Sequence, residues 1–258
     1  SLFGTAVFAF HPLATEVVNA VGFREDLLAT FFGLGSLLFF WNSLKSSFKQ
    51  YQKKYLNQIF SIIFFIFALF SKENSLVLLL VFPVIYFLEN HDNKNKLKKK
   101  EVLFGLFLMV SFLGYLYLRF VWFKNPNPGI HQTDDLWMRV LTGISISGYY
   151  LKLFFFPFPL TVAYVFPKAI GWEIVRSIIS LCLFLGISFW AWISKNRNFL
   201  FGWFWFLIAL IPTMNIYPIA NPIAERYLYL PLIGGVLVFL ECFRLVLKKW
   251  NSSFPKVS

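Results

Sequence analysis

Polar side chains that could do chemistry are concentrated in a few short segments of this chain. The first segment is His11-Pro12-x-x-Thr15-Glu16, which directly follows an apolar stretch. Pro12 suits the first position of a helix, and Glu16 would then lie in the first turns, where the helix dipole favours a negative charge. The functional interpretation is a carboxylate and an imidazole that face a polar pocket at the membrane surface. A capped turn with a Glu16–Arg24 ion pair is the structural alternative.

The second segment is Ser71-Lys72-Glu73, which separates two apolar runs. A Lys and Glu pair at this position could contact an anionic lipid headgroup. A tight, solvated turn explains the same residues without any ligand.

The third segment, Asn221 to Pro231, opens the last apolar run and contains Glu225 and Arg226. The guanidinium of Arg226 suits a phosphate, because its planar fork binds two oxygens at once. Tyr227 is equally well explained as an aromatic residue of a membrane–water interface.

Three tyrosines and two prolines lie within residues 138–156 or shortly after them. These residues are Tyr149, Tyr150, Pro157, Pro159 and Tyr164. Because proline breaks helices, we expect the segment to lie on the membrane rather than to cross it. A lipid-binding groove and a purely structural role both fit the tyrosines.

No spacing of His, Cys and carboxylates predicts a metal site, and no glycine-rich loop predicts a phosphate-binding cofactor site. His91 and His131 are isolated, and Asp134-Asp135 is typical of a solvated loop. We therefore predict neither a metal nor a cofactor.

Composition indicates where this chemistry would take place. Of 258 residues, 58% are hydrophobic and 14% are charged, against about 25% charged residues in soluble domains. This excludes a soluble globular domain and a disordered chain. The net charge of +12 then indicates basic cytoplasmic loops rather than a nucleic-acid partner. The predicted fold is an all-α, polytopic integral membrane helix bundle.

About 20 apolar residues are needed to cross a bilayer, and the hydropathy pattern predicts about seven complete spans and a truncated first helix at 1–10. The predicted spans are 24–42, 56–70, 74–89, 102–122, 173–193, 199–213 and 227–247. A single helix over 56–89 would be about 50 Å long, so we predict a hairpin that turns at Lys72.

The basic clusters predict the orientation of the spans. Clusters at 45–54, 94–100, 195–197 and 248–249 all fall on the cytoplasmic side if 138–156 is an interfacial or re-entrant helix. The polar segments described above then lie on the outer side. We predict a transmembrane domain over 1–250 and a cytoplasmic tail over 251–258.

Four of these segments resemble, in order, motifs of the transmembrane O-mannosyltransferases that carry tetratricopeptide repeats, and of their bacterial relatives. The motifs are HPLATEVVNAVGFREDLLA (11–29), SKENSLVLL (71–79), RVLTGISISGYYLKLFFFPFPLTVAY (139–164) and AERYLYLP (224–231). The resemblance covers about residues 1–247. It implies a GT-C-like fold and a polyprenol-dependent glycosyltransferase in the bacterial inner membrane or the endoplasmic reticulum.

The resemblance also implies a reaction. A sugar, mannose in the best-known members, passes on the extracytoplasmic side from a polyprenyl phosphate to a hydroxyl of an acceptor protein or glycan, commonly a protein Ser or Thr. The candidate roles fall into three groups. The candidates for catalysis or substrate orientation are Glu16, His11 and Glu73. The candidates for binding the donor phosphate are Arg226, Lys72 and Arg24. The candidates for an acceptor or lipid groove are Glu225, Tyr149, Tyr150, Tyr164 and Tyr227.

Two family features have no counterpart in this sequence. The usual catalytic aspartate of the first outer loop is expected upstream of Ser1, and the tetratricopeptide repeats are absent from these residues. A non-catalytic lipid-glycan transporter or flippase is the alternative function, and a membrane scaffold is a third.

Overall fold

The computed structural model describes most of the chain. The described residues are 2–46, 51–90, 99–124, 136–161, 164, 170–214, 221 and 223–253. The predictions for His91, His131, Asp134-Asp135 and the lysines of 94–98 lie outside them.

Within these residues the chain is helical, as the composition predicts. The α-helices are α1 (Leu2–Ala9), α2 (Thr15–Asn19), α3 (Arg24–Lys45), α4 (Tyr51–Ser71), α5 (Leu78–Asn90), α6 (Lys99–Tyr117), α7 (Leu136–Phe155), α8 (Ile170–Ser194), α9 (Arg197–Leu210) and α10 (Tyr229–Ser253). Short 3₁₀ turns lie at Pro12–Ala14, Val21–Phe23, Glu73–Val77, Ile211–Thr213 and Glu225–Leu228, and a π-helical turn at Leu118–Trp122.

Six of the described helical segments are long and apolar enough to cross a membrane, so the all-α, multi-pass fold is confirmed. They are Val21–Lys45, Gln52–Ser71, Glu73–Asn90, Glu101–Trp122, Gly171–Ser194 and Glu225–Lys248. The seventh predicted span, 199–213, falls on the shorter apolar helix Arg197–Thr213. The total of seven spans and their orientation stay predictions.

The chain divides into two compact units, which are described separately. The central unit comprises residues 16–132 and 218–220, and the terminal unit comprises 1–15, 133–217 and 221–258.

In the central unit, α3 and α4 pack as an antiparallel pair. Ser36 Oγ donates to the Ser61 carbonyl at 2.6 Å, and Ser61 Oγ donates to the Ser36 carbonyl at 2.8 Å. These reciprocal bonds satisfy buried hydroxyls and fix the register of the two helices.

The rings of Phe40 in α3, Phe82 in α5 and Phe104 in α6 meet at centroid distances of 4.9–5.7 Å. Residues near the start of α3 meet the chain just before α5, and residues near its end meet the end of α5, so these two helices are parallel. Since α3 and α4 are antiparallel, α4 and α5 form a hairpin. The predicted turn at Lys72 is therefore confirmed.

In the terminal unit, α9 and α10 form a close antiparallel pair. Trp205 Nε1–H donates to the Leu230 carbonyl at 2.9 Å. Gly202 allows this approach, because a Cβ built there would lie 2.8 Å from Leu237 Cβ and 2.9 Å from the Gly234 carbonyl oxygen.

Helix α7 covers the predicted interfacial or re-entrant segment and is not among the six candidate spans. It buries Ile146, Tyr150 and Leu153 completely. The helix ends at Phe155, just before Pro157, as expected of a helix-breaking proline. Its placement in the membrane stays a prediction.

The contact of α9 with α10 can be tested by Gly202→Ala. Alanine favours a helix over glycine by about 1 kcal/mol, but here its methyl group would force the backbones apart at a cost of about 1–3 kcal/mol. We expect a lower Tm of the purified protein in detergent.

The matched control is Gly186→Ala in α8, where no atom lies within 4 Å of an added Cβ. Its Tm should stay unchanged or rise. Equal shifts in the two variants would contradict the close packing of α9 on α10.

Candidate functional site

In the central unit, Lys72 is held by two carboxylates. It has an extended backbone between α4 and the Glu73–Val77 turn. Its Nζ lies 2.6 Å from Asp26 Oδ2 and 3.0 Å from Glu25 Oε1. Both carboxylates lie in the first turn of α3, where the helix dipole also favours negative charge.

Burial alone would lower the pKa of Lys72. The charges and hydrogen bonds of Asp26 and Glu25 together outweigh it and raise the pKa above its usual value. The ammonium is therefore charged at neutral pH, although the side chains of Lys72 and Asp26 are only 11% and 9% exposed.

A second pair joins Glu73 to Arg119. Arg119 Nη1 and Nη2 donate to the two oxygens of Glu73 at 2.9 and 3.2 Å. Arg119 Nη1 also approaches the Tyr115 hydroxyl at 2.7 Å. Arg119 lies on the π-helical turn Leu118–Trp122, an irregularity that is frequent at functional sites.

Three of these charged residues, Lys72, Glu73 and Arg119, line a cavity of about 250 Å³. Lys72, Glu73, Tyr115 and Arg119 form its polar wall, and Leu69, Phe70, Leu118 and Phe123 belong to its apolar wall. Two cations and one carboxylate thus meet beside an apolar surface, an arrangement that suits an amphipathic anion such as a lipid phosphate.

Glu16 and Arg24 lie at the N-terminal end of the central unit. Glu16 is half-buried in the first turn of α2, and Arg24 is the exposed first residue of α3. Arg24 directly precedes Glu25 and Asp26, which hold Lys72.

In the terminal unit, Glu225 is a buried acceptor. Its Oε1 receives the Tyr164 hydroxyl at 2.6 Å and the Thr161 backbone N–H at 3.1 Å. Burial, followed by the charge and hydrogen bond of Glu225, raises the pKa of Tyr164. Tyr164 therefore stays a protonated donor, and Glu225 ties the segment after α7 to the turn before α10.

The other predicted tyrosines surround this contact. Tyr150 is fully buried, and its hydroxyl accepts the Ala224 backbone N–H at 3.2 Å. Tyr149 packs edge-on against Tyr164 at 5.9 Å, and burial together with the charge of Glu225 raises the pKa of Tyr149.

The guanidinium of Arg226 packs against the aromatic ring of Tyr227. The Arg226 guanidinium carbon lies 5.0 Å from the Tyr227 ring centroid, within the range of a cation–π contact. The Tyr227 hydroxyl donates to the Asn221 carbonyl at 3.1 Å. Arg226 is half-buried.

His11 uses both ring nitrogens on backbone groups. Nδ1 accepts the Leu13 N–H at 3.3 Å, and Nε2 lies 3.2 Å from the Phe154 carbonyl, as expected of the Nε2–H tautomer. The ring also stacks on Phe154, with an interplanar angle of 1°. Burial lowers the pKa of His11, although the Phe154 carbonyl opposes the shift. This geometry gives the imidazole a positioning task, since neither nitrogen is left for a substrate.

The structure thus brings Lys72 and Glu73 together with residues that were not assigned a role from the sequence. Arg119 could have been noticed, because a charge within an apolar span indicates a function by default. Tyr115 and Thr161 had no signal, since only the packing reveals them. Among the described residues, no group of His, Cys, Asp and Glu could hold a metal ion.

The His11 geometry predicts a pH-dependent stability. A lowered folded-state pKa means that stability is present above the ordinary value near 6.5 and is lost as the pH falls through the folded pKa. We expect the Tm to fall between about pH 7 and about pH 5, and to fall less in His11→Asn. Asn retains a cap acceptor for the Leu13 N–H without titrating, so identical pH profiles would contradict the assignment.

The Lys72–Asp26 pair predicts a strong coupling. Lys72→Met leaves Asp26 as a buried, poorly compensated charge, which costs about 3 kcal/mol. The double variant Lys72→Met/Asp26→Asn should recover part of that loss. A double-mutant cycle on the free energy of unfolding measures the coupling, and additive effects would show that the two groups do not interact.

Comparison with known proteins identifies two similar proteins. Protein O-mannosyl-transferase F38B6.6 of Caenorhabditis elegans is 24% identical over 249 residues, which cover 92% of this chain and 34% of that protein. Protein O-mannosyl-transferase TMTC4 of Mus musculus is 25% identical over 276 residues, which cover 91% of this chain and 37% of that protein. No family model matches the chain, and no solved structure matches it.

The chain therefore spans about a third of the length of the curated relatives that it matches. The similarity extends over nearly all of its residues and confirms the resemblance to O-mannosyltransferases that the four motifs predicted.

Proposed function

We propose that this chain is a membrane-embedded part of a glycosyltransferase that moves a mannose-like sugar from a polyprenyl phosphate to a Ser or Thr hydroxyl of a protein. The proposal is supported by the two relatives named protein O-mannosyl-transferase. It is also supported by the multi-pass architecture, which suits a donor with a lipid anchor.

The observation that carries the proposal is the charged cavity of the central unit. Lys72 and Arg119 line it together with Glu73, beside an apolar wall. A polyprenyl phosphate has the matching chemistry, because it joins an anionic head to a hydrocarbon chain. In this role the phosphate competes with Glu73 for Arg119, whose fork suits both carboxylate and phosphate oxygens.

In the proposed reaction, the acceptor oxygen forms a bond to the anomeric carbon as the bond from that carbon to the phosphate oxygen breaks. The acceptor proton passes to a carboxylate, and polyprenyl phosphate leaves with the negative charge. Glu16 and Glu73 are the proposed carboxylates for orienting the substrates or taking the proton. Lys72, Arg119 and Arg24 are the proposed cations that stabilise the leaving phosphate.

For the terminal unit we propose binding and positioning roles. Glu225 fixes the segment that follows α7, so that Tyr149 and Tyr164 can form a wall for a lipid or an acceptor. The fully buried Tyr150 holds the Ala224 N–H and does not reach a ligand. Arg226, with Tyr227 stacked against it, is a proposed phosphate ligand. His11 positions the end of α7 through the Phe154 carbonyl.

The proposed side is extracytoplasmic, in the bacterial inner membrane or the endoplasmic reticulum. Its support is the distribution of basic residues, which predicts that Asp26, Lys72 and Arg119 lie on the side away from the cytoplasm. This topology is tested with a cysteine introduced at Lys94 and a membrane-impermeant thiol reagent. Labelling of that cysteine only from the extracytoplasmic side would contradict the topology.

The proposal predicts that Arg119→Gln and Glu73→Gln each lower sugar transfer by about 100-fold, since each removes a charge that acts in the transition state. The measurement is transfer of radiolabelled mannose from polyprenyl phosphate to an acceptor peptide, in membranes that contain the full protein.

Two variants serve as matched controls. Arg244→Gln removes an arginine that is 76% exposed and pairs with Glu241, and Glu89→Gln removes a carboxylate bonded to Trp41. Both should retain transfer at normal expression. Unchanged transfer in the Arg119 and Glu73 variants would refute the roles given to these residues, and lipid-linked sugar that crosses proteoliposome membranes without transfer would favour the transporter.

A further inference from the structure

The two members of the Arg119–Glu73 pair are held to different degrees. The side chain of Arg119 is 20% exposed, and its Nη1 also donates to the Tyr115 hydroxyl at 2.7 Å. The side chain of Glu73 is 51% exposed. When the pair separates, water can hydrate the Glu73 carboxylate, whereas Arg119 stays bound to Tyr115. Glu73 is therefore the member that leaves, and Arg119 is the member that stays.

The pair also occupies the Nη atoms of Arg119. Nη1 donates to both Glu73 and Tyr115, and Nη2 donates to the second Glu73 oxygen at 3.2 Å. This two-pronged arrangement suits a carboxylate or a phosphate, but it holds only one of them at a time. Glu73 thus stands where a phosphate would bind Arg119.

The charges of the site decide which group a phosphate displaces. The ion pairs join two cations to three carboxylates. These groups are Lys72, Arg119, Glu25, Asp26 and Glu73. An added phosphate meets an excess of negative charge unless a carboxylate moves away. Among the described residues that line the cavity, Glu73 is the one carboxylate, so it is the group that gives way.

The ion pair also limits what Glu73 can do for the acceptor. A carboxylate beside a guanidinium holds its negative charge firmly and takes up a proton less readily. Glu73 is one of the two carboxylates proposed above to orient the substrates or to take the acceptor proton. It becomes a better hydrogen-bond and proton acceptor once Arg119 has turned to another anion.

We propose that the two substrates bind in a fixed order, the donor before the acceptor, because the donor phosphate has to replace Glu73 on Arg119. The released Glu73 then receives the acceptor hydroxyl. No covalent bond forms or breaks in this exchange, in which the guanidinium changes one oxygen anion for another. Tyr115 is a positioning residue that holds Arg119 while its partner changes. This inference rests on the proposed function and adds an order of binding to it.

The exchange is tested with farnesyl phosphate, a short polyprenyl phosphate, and with farnesol, which has the same chain without the charge. The Kd of each probe is measured by calorimetry on the full purified protein in detergent. Glu73→Gln keeps the shape of the side chain but does not compete as an anion. It should bind farnesyl phosphate about fivefold more tightly, the equivalent of one partly exposed ion pair, and farnesol as before.

The opposite result has a clear meaning. If Glu73 served only to hold Arg119 in place, Glu73→Gln would weaken the binding of farnesyl phosphate. A weaker or an unchanged Kd therefore overturns the proposal. Glu89→Gln is the matched control, because it removes one carboxylate from the same unit at its bond to Trp41. Equal tightening in both variants would show a general effect of charge and would also overturn the proposal.

Tyr115→Phe tests the positioning role. The variant removes the hydroxyl that holds Arg119 and retains the aromatic ring, so it should weaken the binding of farnesyl phosphate several-fold and leave the Kd of farnesol unchanged. An equal loss of affinity for both probes would refute this role of Tyr115.

The order itself is tested with the acceptor peptide. Its Kd should be at least about fivefold lower with saturating farnesyl phosphate than with farnesol, and the difference should vanish in Glu73→Gln, since binding coupling is reciprocal. Equal peptide affinity with the two probes, together with normal sugar transfer, refutes the order alone. An unaltered protein that neither binds farnesyl phosphate nor transfers the sugar refutes the proposed function and the order with it.

Discussion

A charged side chain among apolar helices is stable only beside a group that compensates it, and this constraint organises the central unit. Lys72 lies between α4 and α5, yet its partner Asp26 belongs to α3. Arg119, on the π-helical turn after α6, reaches back to Glu73 before α5. The ion pairs therefore do more than neutralise charge, because each one fastens the ends of two different helices.

The terminal unit meets the same constraint with hydrogen bonds. Glu225 accepts from Tyr164 and from the backbone of Thr161, and His11 bridges the Leu13 N–H and the Phe154 carbonyl. Leu13 and Tyr150 belong to one buried cluster beside these bonds. Polar side chains in this unit thus fix irregular backbone between helices and satisfy its buried hydrogen-bonding groups.

The sequence was sufficient to predict the helices and the hairpin, because two apolar runs separated by Lys72 and Glu73 fit a bilayer best as two antiparallel spans. It was not sufficient to predict which polar residues pair with each other. Asp26 and Lys72 are 46 residues apart, and His11 and Phe154 are 143 apart. Such pairs depend on which helices pack together, which one sequence does not encode in any local pattern. His11 illustrates the difference: its spacing predicted an imidazole facing a pocket, whereas the fold commits both nitrogens to backbone.

The order of residues along the chain gives the ion pairs a consequence for biogenesis. Asp26 precedes Lys72 by 46 residues, and Glu73 precedes Arg119 by the same separation. Synthesis runs from the N-terminus, so each carboxylate leaves the ribosome before the cation that it will neutralise. Each cation then reaches the bilayer when its counter-charge is already there. The later helices thus carry charges whose compensation depends on helices that are made before them.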